Sequence, residues 1–214
     1  MNGLEKIKNS GIVAIIRGAK SDTILKIIQA LREGGIDNIE ITVEVPGAIE
    51  IIKEVNAQLR NEIYLGAGTV LDGETARLAI LAGAQFIVSP SMHPDVITVS
   101  KRYGKIVIPG AMTPTEIVRA YELGADMVKV FPADVLGPQY IKEIRGPLSH
   151  IPIMVTGGID LHNAADFIKA GATVIGIGGS LISQKISQDE ESFKMITEKA
   201  RNFVEEVKRA RLER

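Results

Sequence analysis

The chain has 214 residues, long enough to bury a substantial core, and a formal charge of −1 with both signs interspersed along its length. That balance leaves no polybasic face for nucleic acid or acidic lipid, and the locally basic end, Lys208 to Arg214, reads as a solvated helix terminus. Cysteine is absent, which excludes disulfides, thiolate nucleophiles and cysteine-ligated metals. The start MNGLEKIKNSG lacks the apolar core of a signal peptide, and no apolar run approaches membrane-spanning length, so a cytoplasmic protein is expected.

In chain order, GIVAIIR (Gly11 to Arg17) is the first predicted strand. A helix follows from Ser21, a suitable N-cap, to Glu33, with Ile24, Ile27, Ile28 and Leu31 on one face. IDNIEIT is the second strand, and Pro46 is expected to open a helix to about Leu59. EIYLGAGT is the third strand, with a helix from Asp72 to Leu81. QFIVSP is the fourth, with a helix from about Pro94 to Tyr103. KIVIPG is the fifth, after which Thr113 caps a helix begun by Pro114. MVKVFP is the sixth, followed by a short helix over Pro138 to Ile144. IPIMVTGG is the seventh, with a helix from Asp160 to Lys169, and TVIGIGGS is the eighth. The last helix, about Asp189 to Arg211, carries Phe193, Ile196, Ala200, Phe203 and Val207 on one stripe, as an outer helix packed on a barrel would.

A recurring phrase ties these units together: GGIDNIEIT, AGAQFIVSP, LGADMVKVFP and AGATVIGIGG. Each sets a glycine after a helical pattern, then a short β-branched run. The glycine suits the left-handed residue that closes a helix, and the run suits a buried strand. Eight such units with strongly apolar strands predict a single (β/α)8 barrel over residues 1–214, with one extra helix at the N-terminus. The open doubly wound sheet is the competitor, but IIRGAKSD stands where a GxGxxG would follow the first strand.

In such barrels chemistry gathers at the C-terminal strand ends. There the sequence offers Arg17, Glu40 with Thr42, Thr69, Ser89 with Pro90, Lys129, Thr156 and Ser180. Lys129 lies between valines in a buried run, where an ammonium is costly unless paired or deprotonated; a lysine with a lowered pKa is a nucleophile toward carbonyls. A snorkelling or structurally paired lysine is the plainer reading. Glu40 lies between Ile39 and Ile41, so alternation puts it on the opposite face, with Asn38 and Thr42. Facing one cavity, Glu40 and Lys129 form either a structural ion pair or an acid-base and nucleophile couple. TGGI (Thr156 to Ile159) and IGGS (Ile177 to Ser180) end the last two strands, where backbone amides freed of side chains suit phosphate.

These stretches together resemble the 2-keto-3-deoxy-6-phosphogluconate (KDPG) and 4-hydroxy-2-oxoglutarate (KHG) aldolase family. The likeness runs through GGIDNIEIT, LGAGTV, GAQFIVSP, IPGAMTPTE, VKVFPAD, GPQYIKEIRGP, TGGI and GIGGS, in family order across nearly the whole chain. The resemblance implies a (β/α)8 barrel assembled as a trimer. It implies reversible cleavage of KDPG to pyruvate and glyceraldehyde 3-phosphate, an Entner–Doudoroff step, through an imine and with no metal or other cofactor. By the same resemblance Lys129 is the Schiff-base lysine and Glu40 the general acid/base. Thr69 holds the pyruvate carboxylate. Thr156, Gly157, Gly158, Gly178, Gly179 and Ser180 hold the polar tail and phosphate, and Pro90 and Phe131 shape the wall.

Three positions depart from the pattern. Some members carry an arginine where Glu44 stands, reading the pyruvate carboxylate, and Arg17 is expected to replace it as a buried bidentate clamp. Val155 replaces the usual proline before TGG, and Ser91 follows SP. The sequence does not separate KDPG from its phosphogalactonate counterpart or from KHG. A metal-dependent aldolase would need clustered ligands, but His150 and His162 fall in surface loops and His93 stands alone in a loop. A phosphosugar-binding barrel without chemistry is the non-enzymatic alternative.

Overall fold

A computed structural model describes residues 3–18, 21–183 and 189–214. The first helix, α1 (Gly3–Ser10), is the extra N-terminal one. Then come β1 (Ile12–Ile16), α2 (Ser21–Glu33), β2 (Asn38–Thr42), α3 (Ala48–Leu59), β3 (Tyr64–Gly68), α4 (Gly73–Ala82), β4 (Phe86–Val88) and α5 (Pro94–Arg102). The second half holds β5 (Ile106–Ile108), β6 (Gly110–Ala111), α6 (Pro114–Glu122), β7 (Val128–Val130), α7 (Ala133–Arg145), β8 (Ile153–Thr156), α8 (Ala164–Lys169), β9 (Val174–Ile177) and α9 (Glu190–Leu212).

All the strand pairings are parallel, in the order β5-β4-β3-β2-β1-β9-β8-β7-β6. The two edge strands are consecutive pieces of the predicted fifth strand, parted by Pro109. Proline brings no N–H to a ladder. On one side of it the Ile108 carbonyl accepts from Ser89 N (3.2 Å), and on the other the Pro109 carbonyl accepts from Lys129 N (2.9 Å). The two halves thus serve opposite neighbours, and the ring closes through the covalent chain. The expected eight-stranded barrel is present, with its fifth strand split.

The recurring glycines behave as their sequence context predicts. Gly35, Gly83, Gly124 and Gly171 have φ of +93°, +118°, +102° and +115°. In each case the next residue donates back five positions: Ile36 to Leu31, Ala84 to Ala79, Ala125 to Ala120 and Ala172 to Phe167, at 2.9–3.1 Å. This is the Schellman closure used four times, and it turns each helix directly into the following strand.

Alternation divides the core in two. Val13, Phe86, Val88, Ile106, Ile108, Met127, Met154 and Val174 fill the barrel interior, with Ile7 of α1 packed among them. A larger cluster between the barrel and the helices takes the other strand face, including Ile12, Ile39, Ile41, Ile87, Val128 and Val130. α9 buries Ile196, Ala200, Phe203, Val207 and Ala210. Phe193 is only half-buried, its ring lying 5.9 Å from Lys26 Nζ of α2.

Some boundaries differ from expectation. α3 starts at Ala48, two residues past Pro46, because Gly47 takes a left-handed φ of +83°. α7 begins at Ala133 and kinks at Gly137 (φ 74°, ψ 166°), so Pro138 opens its second segment rather than the whole helix. Residues 161–163 form a turn before α8. Ser21 begins α2, but its side chain, and so the expected cap, lies outside the described residues. Thr113 does cap α6, with its hydroxyl accepting from Glu116 N and the Glu116 carboxylate accepting from Thr113 N. Among the described residues no helix is long and apolar enough to cross a membrane.

Candidate active site

The inward positions of neighbouring strands build the site. Ile15 of β1 pairs in register with Glu40 of β2, Glu40 with Gly66 of β3, and Lys129 of β7 with Gly110 and Met154. Glu40 is 1% and Lys129 5% exposed, so both charges lie in the barrel's upper interior. Burial pushes the Glu40 carboxyl above its ordinary range, against the opposing charges of Lys129 and Arg17. Burial holds the Lys129 amine below its ordinary value; Glu40 opposes this, and Arg17 adds to it. No ion pair within 4.0 Å joins Lys129 to Glu40 among the described residues, so the structural-pair reading of these two charges is not met. Lys129 Nζ lies 5.1 Å from the centre of the Phe131 ring. Oε2 of Glu40 and Oγ1 of Thr156 are buried with no hydrogen-bond partner.

Next to this pair opens a cavity of about 390 Å³, walled by Ile15, Arg17, Phe131, Thr156, Gly157, Gly158, Ile159, Asp160, Gly176, Gly178, Gly179, Ser180 and Ile182. It brings together eight of the residues expected at the site. Gly157 and Gly158 are both left-handed, with φ of +96° and +66°. They fit closely against the lysine strand's exit: a Cβ on Gly157 would stand 3.2 Å from the Phe131 ring, and one on Gly158 would strike the Asp134 carboxylate at 2.3 Å. Asp134 N donates to Gly157 O (3.1 Å), tying the two loops together. Ser180 Oγ donates to Ile159 O at 2.6 Å, so that hydroxyl braces the glycine loops against each other.

Four expected residues are not on that wall: Lys129 and Glu40, buried in the strands beside it, and Thr69 and Pro90. Thr69 and Pro90 follow β3 and β4, on the other arc of the ring, and both are half-buried. Thr69 has φ +59°, a left-handed conformation that a β-branched residue takes only under strain.

Arg17 requires a correction. Expected as a buried clamp, its side chain is 50% exposed, because β1 ends at Ile16 and the guanidinium stands above the ring. It is also already engaged, with Nη1 donating to Glu44 Oε1.

Two further features follow from glycines on the inward face. A Cβ on Gly68 would lie 1.8 Å from Glu40 Oε1, and one on Gly176 would lie 2.6 Å from Thr156 Oγ1. These glycines make room for polar groups of the site. The alternation of YLGAG and VIGI points both inward, which is the signal the sequence held.

Among the described residues no three His, Cys, Asp or Glu side chains cluster as metal ligands. His93 Nε2 is hydrogen-bonded to Ser91 Oγ (2.9 Å), and His150 packs edge-on to Tyr121.

Comparison with known proteins bears on this arrangement. The family model of KDPG and KHG aldolase matches residues 4–198. The 2-dehydro-3-deoxy-6-phosphogalactonate aldolase of Escherichia coli K12 is 36% identical over 171 residues, covering 79% of this chain and 83% of that protein. The 2-dehydro-3-deoxy-phosphogluconate aldolase of Haemophilus influenzae is 34% identical over 183 residues, covering 85% of each. The solved native KDPGal structure superposes with a TM-score of 0.87 at 34% identity, covering 93% of this chain and 95% of that one. A barrel with a buried lysine and glutamate, matched along almost all its length, places the chain in the KDPG and KHG aldolase family.

Proposed function

We propose that this class I aldolase cleaves KDPG to pyruvate and glyceraldehyde 3-phosphate, with Lys129 as the imine-forming lysine and Glu40 as the proton carrier. The observation that carries the reading is the opposite displacement of two buried groups in one interior: an amine held below its ordinary pKa and a carboxyl held above. A neutral Lys129 amine adds to the C2 ketone of the keto acid, and loss of water gives a protonated imine. That imine is the electron sink. As C3–C4 breaks, Glu40 takes the C4 hydroxyl proton, the aldehyde leaves, and the electron pair settles into the enamine. Glu40 then returns its proton to the enamine carbon, and hydrolysis of the imine frees pyruvate and the amine.

Arg17 and Thr69 take the pyruvate carboxylate on this reading. Thr156, Gly157, Gly158, Gly178, Gly179 and Ser180 take the hydroxyls and phosphate, while Pro90 and Phe131 shape the path. Their shared end of the barrel and the glycine-lined cavity support those roles. A trimer working in the cytoplasm completes the proposal.

The phosphogalactonate epimer is the second reading, because the E. coli relative at 36% identity bears that name. A panel of KDPG, its phosphogalactonate epimer and unphosphorylated KHG, compared by kcat/KM, tests the choice. We expect KDPG to lead, and a clear preference for either other acid overturns it. Borohydride with pyruvate should trap one covalent adduct on Lys129. Full activity in Lys129→Ala would remove the lysine from its role.

A further inference from the structure

We infer that Glu44 is a positioning residue: its carboxylate holds the Arg17 guanidinium over the mouth of the barrel in the pose that receives the substrate carboxylate. The inference rests on the reading that Arg17 takes that carboxylate, and it assigns a task to a residue which itself repels the substrate.

The argument starts from register. Ile15 pairs with Glu40, and continuing β1 and β2 by one further inward step sets Arg17 across from Thr42, with Glu44 on the diagonal. Arg17 lies one residue past β1 and Glu44 two past β2, and the two side chains meet there in an ion pair. Their anchoring is unequal. Glu44 sits in a short loop tied down on both sides, by Val43 N donating to Gly68 O (2.9 Å) and Ala48 N donating to Val45 O (3.3 Å). Arg17 is followed by Gly18 at φ +65°, where a Cβ would meet nothing within 4 Å among the described residues, and its long side chain is 50% exposed against 28% for Glu44. The fixed partner orients the loose one.

Arg17 gives Nη1 to Glu44, while among the described residues Nη2 and Nε bind nothing. A planar guanidinium held by one nitrogen presents its remaining edge for a second, bidentate carboxylate. Glu44 has an electrostatic effect as well. Burial is the main cause of the raised Glu40 pKa, and the Glu44 charge adds to it in the direction opposite to Arg17.

The test compares borohydride trapping with pyruvate and with hydroxyacetone, a ketone lacking the carboxylate. In Glu44→Gln the half-saturating pyruvate concentration should rise about 3–10-fold, the size expected when one flexible side chain must be ordered on binding. Hydroxyacetone trapping and the melting temperature should stay as in the native protein. Arg17→Gln should raise the pyruvate value by about 10–100-fold, and adding Glu44→Gln to it should change nothing more. An unchanged or lowered pyruvate value in Glu44→Gln overturns the inference, the latter because Glu44 would then be a competitor. Equal shifts for both ketones also overturn it, since they would place the effect on Lys129. Arg17→Gln with native pyruvate affinity removes the reading beneath it, and failure of the native protein to trap pyruvate at all removes the aldolase assignment itself.

Discussion

Gly68→Ala is the sharpest probe of the site, because it adds one methyl group and no charge. Gly68 ends β3 next to Glu40, and a Cβ there would stand 1.8 Å from Oε1, 2.4 Å from Cδ and 2.6 Å from Cγ of that side chain. Ordinary contact begins at 3.4 Å, so the carboxylate oxygen must retreat by about 1.6 Å. Glu40 is 1% exposed, so that retreat takes its carboxylate out of the position it holds in the barrel interior. Displacing a catalytic group by about 1 Å costs on the order of 10²-fold in rate, and deleting a general acid/base costs about 10²–10⁴-fold. Gly68→Ala should therefore lower kcat on KDPG by about 10²-fold or more, approaching Glu40→Gln. Imine trapping with pyruvate should survive, because Lys129 is untouched. Overpacking should also cost about 1–3 kcal/mol of stability, visible as a lower melting temperature. A folded Gly68→Ala protein that keeps kcat within about threefold would refute both the close approach and the proton-carrying role drawn from it.

Lys129→Met should abolish trapping and raise the melting temperature at pH 7, since a packed apolar side chain replaces an amine that burial disfavours; each kcal/mol is worth about 2–4 °C in a chain of this size. An equal or lower melting point would argue against a strained lysine. The amine's depressed pKa means that its contribution to stability is full above the unfolded value and lost as pH falls through the folded one, so the advantage of Lys129→Met should grow as pH is lowered from about 10.4. Glu40 has the opposite sign: its raised pKa makes its contribution full below about 4.3 and lost as pH rises through the folded value, so Glu40→Gln should gain over the native protein with rising pH. Thermal melts across pH check both slopes. Strong chelators should leave activity unchanged, and a loss restored by a divalent cation would revive metal-dependent chemistry.

The barrel was legible in the sequence because its joints repeat a physical requirement. Gly35, Gly83, Gly124 and Gly171 stand where the backbone turns left-handed, and the β-branched run after each can only be a buried strand. The break at Pro109 was less visible, since KIVIPG reads as one strand unless the missing proline N–H is set against two neighbours. The start of α7 was missed because Pro138 is a good first residue for a helix, and a shorter turn ahead of Gly137 carries no such mark. Alternation assigned a face to Glu40 but says nothing of height along the barrel. That is why Arg17, on the correct face, was expected to be buried and is not: it lies one residue past the end of β1. Gly68 drew no reading from the sequence, which does not show how much volume a strand glycine leaves to its neighbour.

Height and distance also decide what the buried pair can do. A carboxylate and an ammonium 4 Å apart attract by about 4 kcal/mol at an effective dielectric of 20, or about three pKa units for each partner. In direct contact that attraction would cancel much of the burial shift and keep Lys129 protonated, its nitrogen lone pair unavailable for addition to a ketone. Here burial is the leading cause for both groups, and among the described residues they form no ion pair. On the proposed reading, that separation is what lets the lysine act as a nucleophile and the glutamate as a proton carrier, with the reacting carbon between them. An insertion of one methylene at Glu40 is not available among the natural residues, but Glu40→Asp is, and it widens the gap instead. Imine formation should persist in that variant while proton transfer slows, whereas a variant that closed the gap would lose the imine first.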